Sequence, residues 1–285
     1  MITPPLQPGL VLLEKARRKR RAVAGLNFYN AETLRAHVDA ARRLDVPLFL
    51  QTTEATVDYL GLHLVVAMAR AASEDLKLPV ALHLDHGQSV DIARRAIEAG
   101  YSSVMIDGSK LPFEDNVALT RQVVELARAK GVSVEGEIGH VGPVDSHNPR
   151  AFYTRPEDAR RFVEQTGVDS LAVAVGTQHG FYRGEVALDF ERLAAIRDAL
   201  PQVPLVLHGG SGLTPELLTR SIELGVAKVN FGTELKDAFT HAVRDSLASS
   251  TDIDLRTSFA PAIRAVSRVS QSKLEVCWRG AEGAR

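Results

Sequence analysis

A carboxylate and an imidazole stand side by side at Asp85 and His86, directly after an apolar run that begins at Pro79. Two further histidines, His179 and His208, follow other short apolar runs in the same way. Three imidazoles are a donor set that Zn²⁺ accepts, and a catalytic zinc keeps one position open for substrate. The residue types therefore predict a metal site at a set of strand ends, with Asp85 beside it as acid or base.

Other polar residues accompany these histidines. Glu135 and Glu137 close a fifth apolar run, and Gln178 and Asn230 close two later ones. His83 precedes Asp85 by two residues and lies on the same side of the predicted strand, but deeper, so we interpret it as a buried supporting histidine. Any one of these histidines alone would more often be a packing residue, and the metal prediction depends on their matching positions.

Two glycine-rich segments follow the last apolar runs. They read His-Gly-Gly-Ser-Gly over 208–212, including Gly209, Gly210 and Ser211, and Asn-Phe-Gly-Thr over 230–233, and each leads into a helical pattern. Backbone N–H groups at helix N-termini bind phosphate, and the loops after strands seven and eight of a barrel commonly hold it. A phosphorylated ligand next to the metal is the resulting expectation.

The elements that must position these residues alternate regularly. Short runs rich in Val, Leu and Ala are separated by segments of helical spacing. The predicted strands are 22–27, 47–52, 79–84, 102–106, 132–138, 169–175, 204–207 and 227–231. Strand and helix repeated eight times predict an α/β fold, a (β/α)8 TIM barrel. The alternative, an open doubly wound sheet, is disfavoured because no Gly-x-Gly-x-x-Gly follows the first strand.

Helix ends support this division. Asn30, Thr154 and Thr214 stand where an N-cap is expected, and Ser89 precedes the helix after Asp85 and His86. Glycines that should end helices before the next strand are Gly100, Gly131, Gly167 and Gly225. Since no linker divides the chain, we expect one domain over 1–285, with an N-terminal helix and a C-terminal helical extension.

The composition limits the classes of binding partner that we expect for this protein. The 285 residues carry 34 Lys and Arg against 35 Asp and Glu, a net charge of -1, so neither nucleic acid nor an anionic membrane is an expected partner. The basic run 15–21 is interpreted as the exposed end of a leading helix. One cysteine, Cys277, excludes an intrachain disulfide, and no apolar run approaches 18 residues, so we expect a cytoplasmic protein.

The motifs resemble the class II, zinc-dependent fructose/tagatose-bisphosphate aldolases, in the shorter ketose-bisphosphate branch. The resemblance runs from about Ala22 to Lys236, and more loosely to Cys277. The segments that carry it are Leu-His-Leu-Asp-His-Gly (82–87), Met-Ile-Asp-Gly-Ser (105–109), Glu-Gly-Glu-Ile-Gly (135–139), 166–180 with its Gly-Thr-Gln-His-Gly end, Leu-Val-Leu-His-Gly-Gly-Ser-Gly (205–212) and Lys-Val-Asn (228–230).

This resemblance implies roles for individual residues. His86, His179 and His208 would bind Zn²⁺, and Glu137 would be a nearby carboxylate that can coordinate the metal transiently. Asp85 would be the acid/base at the hydroxyl of the cleaved bond. The residues implied to hold the dihydroxyacetone phosphate half, beside a monovalent cation such as Na⁺ or K⁺, are Gly180, Gly209, Ser211, Asn230 and Thr233. Polar positions on the first two strands match at Asn27, Gln51 and Thr53, and Arg256 resembles an arginine used for the second phosphate.

The chain departs from the family pattern in the loop over 140–153, a length that is typical of an active-site lid or of a disordered segment. A glutamate in a Gly-Gly-x-Glu-Asp context is usual there as the second acid/base, whereas residues 142–146 read Gly-Pro-Val-Asp-Ser. Asp145 is one methylene shorter, and Pro143 stiffens the loop. Three readings stay open: Asp145 does this work, His140 or His147 replaces it, or the activity and substrate differ.

The implied activity is reversible cleavage of a ketose 1,6-bisphosphate, of fructose or tagatose type, into dihydroxyacetone phosphate and an aldehyde such as glyceraldehyde 3-phosphate. Alternatives are another phosphorylated substrate, such as a keto acid of inositol breakdown, and a non-catalytic barrel subunit that binds metal and sugar phosphate. Schiff-base chemistry through Lys228 is a third alternative. It is disfavoured because the predicted metal ligands would then have no role in catalysis. The resemblance also implies a homo-oligomer, a dimer or tetramer.

Overall fold

The computed structural model describes residues 6–139, 152–182, 184 and 186–279. Eight parallel strands pair in chain order, and the last pairs with the first to close a barrel. The strands are β1 (Val23–Asn27), β2 (Leu48–Thr53), β3 (Val80–Gly87), β4 (Ser103–Ile106), β5 (Ser133–Ile138), β6 (Ser170–Val173), β7 (Leu205–Leu207) and β8 (Val226–Phe231). The predicted eight strands and the (β/α)8 barrel are confirmed.

Helices cover the outside of the barrel. They are α1 (Gly9–Arg18), α2 (Ala31–Leu44), α3 (Glu54–Leu60), α4 (Leu62–Leu76), α5 (Val90–Ala99), α6 (Phe113–Arg128), α7 (Pro156–Thr166), α8 (Phe190–Ala199), α9 (Pro215–Glu223), α10 (Thr233–Ser249) and α11 (Leu255–Arg279). None of those in the described ranges combines the length and apolarity needed to cross a membrane. The predicted basic run lies at the end of α1, with Arg20 exposed just beyond it.

Most predicted caps are confirmed, with one exception. The side chains of Asn30, Ser89 and Thr214 each accept a backbone N–H of the first turn that follows. Thr154 is not a cap, because α7 begins after Arg155. The Thr154 hydroxyl instead donates to Ile138 O at 2.7 Å and accepts from Ala174 N at 2.8 Å, joining the ends of β5 and β6.

The N-terminal end of the barrel is closed by α1. Leu12 and Leu13 pack with Phe49 and Ala81 from the barrel interior, and Leu10 N donates to Ser133 Oγ at 2.9 Å. A TIM barrel is filled by side chains rather than open as a pore. Because this end is blocked by apolar residues, only the C-terminal end of the strands is left for a polar site.

The chain returns to the start of the barrel in its last helix. α11 packs along α2, where Ser270 Oγ lies 2.8 Å from His37 Nδ1, and the carbonyl of Cys277 accepts from Ala22 N just before β1. Cys277 is fully buried. The C-terminal helices are therefore packed against the barrel.

Candidate active site

A local distortion in β3 aims two adjacent side chains at the barrel mouth. Neighbouring residues of a regular strand point to opposite faces, so Asp85 and His86 would normally diverge. The pairing with β4 shifts register between Leu84 and Gly87, and His86 has a φ of 53°. A non-glycine residue in the left-handed region is strained, and such strain is often found at functional sites. Here it brings both side chains into one cavity.

Three histidines from three strand ends converge in this cavity. His86 Nε2 and His208 Nδ1 are 2.8 Å apart, and the ring of His179 lies 4.9 Å from that of His86 between centroids. One nitrogen from each ring falls within 4.8 Å of the other two. His208 is fully buried, whereas His179 is exposed, so the cluster is open on one side.

Acidic side chains surround the cluster. Asp107, at the end of β4, contacts His86 Nδ1 at 2.8 Å and accepts from the Ser109 hydroxyl at 2.6 Å. Burial lowers the pKa of His86, but Asp85 and Asp107 outweigh it and raise the pKa to about 9. An environment that favours a proton this strongly also favours a metal cation, which would compete for the same nitrogens.

The Glu137 carboxylate lies next to this cluster without a proton donor for one of its oxygens. Glu137 Oε2 is buried with no hydrogen-bond partner, although nitrogens of His86 and His208 are each 3.9 Å away. Burial, followed by the charge of Asp107, raises the pKa of Glu137 to about 8. A buried carboxylate oxygen that lacks a donor beside three imidazoles fits a Zn²⁺ site.

One layer deeper, the barrel contains a buried ion pair. Lys228 Nζ donates to Glu135 Oε2 at 2.8 Å, and Glu135 Oε1 lies 2.8 Å from His208 Nε2. Burial would raise the pKa of Glu135, but the Lys228 charge and the His208 contact hold it far below its usual range. Lys228 is fully buried and does not line the cavity, so it is poorly placed for Schiff-base chemistry.

Two amides orient Asp85 at the mouth. Asn27 Nδ2 donates to Asp85 Oδ2 at 2.9 Å, and Asn230 Nδ2 donates to Oδ1 at 3.0 Å. Gln51 lies behind them and donates to Asn27 Oδ1 at 3.2 Å. Burial raises the pKa of Asp85, but the charges of His86, His208 and Lys228 lower it to about 2, so the carboxylate is ionised at neutral pH.

The glycine loop after β7 borders the same cavity. Gly209 has a φ of 67°, and a Cβ there would stand 2.4 Å from the Gln178 carbonyl oxygen, so only glycine fits. Ser211 faces the cavity. Gly210 does not, because its N–H donates to Asn230 O and its Cα packs against Val229.

The cavity also contains residues that the sequence patterns did not single out. Tyr29, Gly232 and Lys236 line it together with Thr233. α10 begins after Gly232, which has no side chain to cap it, and the Glu234 N–H of the first turn donates to Ser211 Oγ at 3.4 Å. Lys236 Nζ has no carboxylate within 4.0 Å among the described residues. The feature of the sequence that could have identified Lys236 is its position one helical turn after Thr233.

The structure thus brings most predicted site residues to one cavity of about 180 Å³. Those that line it are Asn27, Thr53, Asp85, His86, His179, Gly180, His208, Gly209, Ser211, Asn230 and Thr233. Glu137, Gln51 and Gly210 lie behind them. Arg256 is elsewhere: it opens α11, pairs with Asp254 at 2.7 Å and lines a separate cavity beside Phe259. Asp145, His140 and His147 lie outside the described residues.

A closed (β/α)8 barrel with a histidine cluster, an oriented carboxylate and a glycine loop at its C-terminal face is typical of an enzyme of metal-assisted chemistry. The family model for class II fructose-bisphosphate aldolase matches residues 9–282. The chain belongs to this family, whose members are lyases.

Solved structures agree with this assignment. The YdjI aldolase from Escherichia coli K12 is 33% identical, with a TM-score of 0.84 over 98% of this chain and 99% of that one. A candidate fructose-1,6-biphosphate aldolase from Coccidioides immitis is 29% identical, with a TM-score of 0.87 over 97% and 98%. The fructose-bisphosphate aldolase of Campylobacter jejuni, at 22% identity with a TM-score of 0.79 over 97% of each chain, shows the shared fold.

Proposed function

We propose that this protein is a zinc-dependent aldolase that reversibly cleaves a ketose 1,6-bisphosphate into dihydroxyacetone phosphate and an aldehyde. The observation that carries the proposal is the convergence of His86, His179 and His208 beside an ionised Asp85 in one cavity. Zn²⁺ held by these histidines would supply Lewis-acid stabilisation of the charge that C–C cleavage leaves on the ketone fragment. Glu137 stands close enough to become a further ligand.

Asp85 is assigned the proton transfer. Its carboxylate would accept the proton of the C4 hydroxyl during cleavage and return it to the aldehyde during condensation. Asn27 and Asn230 hold both oxygens in place, so the base is oriented before substrate arrives. Asp145 remains the proposed second acid/base, which would protonate the carbon end of the ketone fragment.

The phosphate of the ketone fragment is assigned to the loops after β7 and β8. Gly209, Ser211 and Thr233 line this side of the cavity, and the N-terminus of α10 favours an anion there. Lys236 adds a positive charge at the rim. Gly180 and Asn230 complete the proposed subsite, beside a monovalent cation such as Na⁺ or K⁺, while Gly210 is left out because its N–H is already bonded.

We also propose that the protein is cytoplasmic and assembles as a homo-oligomer, a dimer or tetramer.

The second phosphate of the substrate is not assigned to Arg256, because this residue does not reach the cavity of its own chain. Thr53 and Asn27 also line the cavity, with Gln51 behind Asn27, and the rest of the substrate would lie beside them.

The direct test is release of triose phosphate from a panel of fructose and tagatose 1,6-bisphosphates and related phosphorylated keto acids. Each substrate is assayed before and after exhaustive chelation, and again after Zn²⁺ is restored. We expect activity that disappears on chelation and returns with zinc. Activity that survives chelation, or persists in His208→Ala, would refute the metal mechanism, and zinc binding without turnover of any substrate would favour the non-catalytic reading.

A further inference from the structure

A row of buried polar side chains extends from the middle of the barrel to the histidine cluster. Ser103 Oγ lies 2.8 Å from His83 Nδ1, and His83 Nε2 lies 3.3 Å from Lys228 Nζ. Lys228 donates to one oxygen of Glu135, whose other oxygen contacts His208 Nε2. None of these residues is more than 3% exposed.

The charged pair in this row has no contact with the proposed substrate. Glu135 and Lys228 lie below the cavity rather than along its wall. Taking two charges out of water is costly, and a buried ion pair usually adds little net stability. Its presence directly beneath His208 therefore suggests a role in organising that histidine.

The contacts of His208 determine where its proton lies. A carboxylate only accepts hydrogen bonds, so Nε2 must carry the proton that is shared with Glu135 at 2.8 Å. Asn230 Nδ2 is 3.3 Å from the same nitrogen, but it is itself a donor and is bonded to Asp85. The lone pair of the neutral ring is consequently on Nδ1, which faces His86 Nε2 at 2.8 Å.

The two histidines thus use opposite nitrogens. Asp107 contacts Nδ1 of His86 and leaves its Nε2 facing the cluster, whereas Glu135 contacts Nε2 of His208 and leaves its Nδ1 there. Carboxylates at the remote nitrogen commonly set the tautomer and orientation of metal-binding histidines. In this chain the carboxylate below His208 has its own partner, Lys228, which contacts the oxygen that does not face His208.

We propose that Glu135 and Lys228 are positioning residues that hold His208 in the Nε2–H tautomer and so present Nδ1 to the metal. Lys228 acts through Glu135, because its hydrogen bond to Oε2 fixes the carboxylate whose Oε1 accepts from His208 Nε2. The inference rests on the proposed function, since it requires that zinc binds at the three histidines.

The most direct test is ¹⁵N nuclear magnetic resonance of histidine-labelled, zinc-loaded protein. The His208 signals are identified by their loss in His208→Gln. We expect a proton on Nε2 and the shift of a metal-bound nitrogen at Nδ1. A zinc-loaded protein with the His208 proton on Nδ1 overturns the positioning inference alone, whereas a wild type that binds no zinc overturns the proposed metal site.

Two variants test the part played by Lys228. Lys228→Met removes the donor to Glu135 Oε2, so the carboxylate is no longer held where it accepts from His208 Nε2, and the Nε2–H tautomer loses its support. We expect zinc affinity, measured by competition with a chelator, to fall about 10- to 100-fold. The double variant Glu135→Leu, Lys228→Met also removes the carboxylate that is left buried and unpaired, and it should bind zinc more tightly than Lys228→Met but less tightly than the wild type.

The double variant also covers the case in which Lys228→Met does not fold, because replacing both members of a buried ion pair by apolar residues is often tolerated. Tyr101→Phe is the matched control: it removes a buried hydroxyl contact of 2.7 Å to Thr52, away from the cluster. It should bind zinc like the wild type. If the folded double variant also has wild-type zinc affinity and the Nε2–H signature, Glu135 and Lys228 only support the fold and the inference fails.

Discussion

The two ends of the barrel are made of opposite kinds of residue. The C-terminal end holds Asp85, three histidines and a Glu137 oxygen without a hydrogen-bond partner, and His86 has a strained backbone. The N-terminal end is closed by apolar side chains of α1 and the first strands. The strained and unsatisfied groups of the polar end cost stability, whereas the apolar packing at the opposite end contributes to it. Substitutions at each end should therefore have different effects.

The largest expected effect is at the polar end. Asp85→Asn removes the proposed proton acceptor but keeps the shape of the side chain, so kcat should fall about 10²- to 10⁴-fold. Zinc content and the free energy of unfolding should change little, because Asp85 is not among the proposed ligands. The measurements are steady-state turnover, metal analysis and urea denaturation. Wild-type turnover in the zinc-loaded variant would remove Asp85 from the mechanism.

The opposite result is expected at the apolar end. Leu13→Ala empties a buried position of α1 that is 3% exposed, and the free energy of unfolding should fall by about 2–5 kcal/mol. Zinc affinity and KM should stay at wild-type values. Val11→Ala, on the exposed face of the same helix, is the control and should cost less than about 0.5 kcal/mol. A large loss of zinc affinity in folded Leu13→Ala would show that the two ends are coupled.

His37, a buried residue of helix α2 outside the barrel strands, should make the stability of the protein depend on pH. Burial lowers the pKa of His37 to about 4, although the Asn27 carbonyl favours its protonated form. Between pH 6.5 and 4 the unfolded chain therefore binds a proton that the folded chain does not, and stability falls as pH falls. For His37 this loss should be about 2 kcal/mol between pH 6.5 and 5. Metal-free His37→Gln should lose less stability over that interval than metal-free wild type, and equal losses would contradict the assignment.

The smallest expected effect is at the rim of the cavity. Lys236→Met removes a positive charge that no described carboxylate neutralises, and KM for a phosphorylated ketose should rise about threefold to tenfold. Turnover at saturation should be nearly unchanged, because Lys236 is assigned to the phosphate and not to the proton transfer. Lys130→Met, at the opposite end of the barrel, is the matched control. An unchanged KM at low ionic strength would exclude Lys236 from the phosphate subsite.

Much of the fold could be predicted because its signals are local. Each strand is a short apolar run, several helices begin at a side-chain cap or end at a glycine, and parallel strands place their carboxyl ends at one edge. That rule alone placed His86, His179 and His208 together. The capping rule failed at Thr154, whose hydroxyl bonds backbone groups at strand ends instead of a helix. The strand-end rule did not single out Asp107, although that residue also follows a strand.

The sequence by itself determined the barrel, the strand ends that carry the histidines and the resemblance to the class II aldolases. Only the tertiary structure decided which nitrogens of His86 and His208 face the cluster, because that depends on Asp107 and Glu135, which are far from their partners along the chain. It also decided that Asp85 and His86 point the same way, through a register shift that strand periodicity does not predict. Periodicity assigns a residue to a face, whereas hydrogen bonds between strands determine the orientation of its side chain.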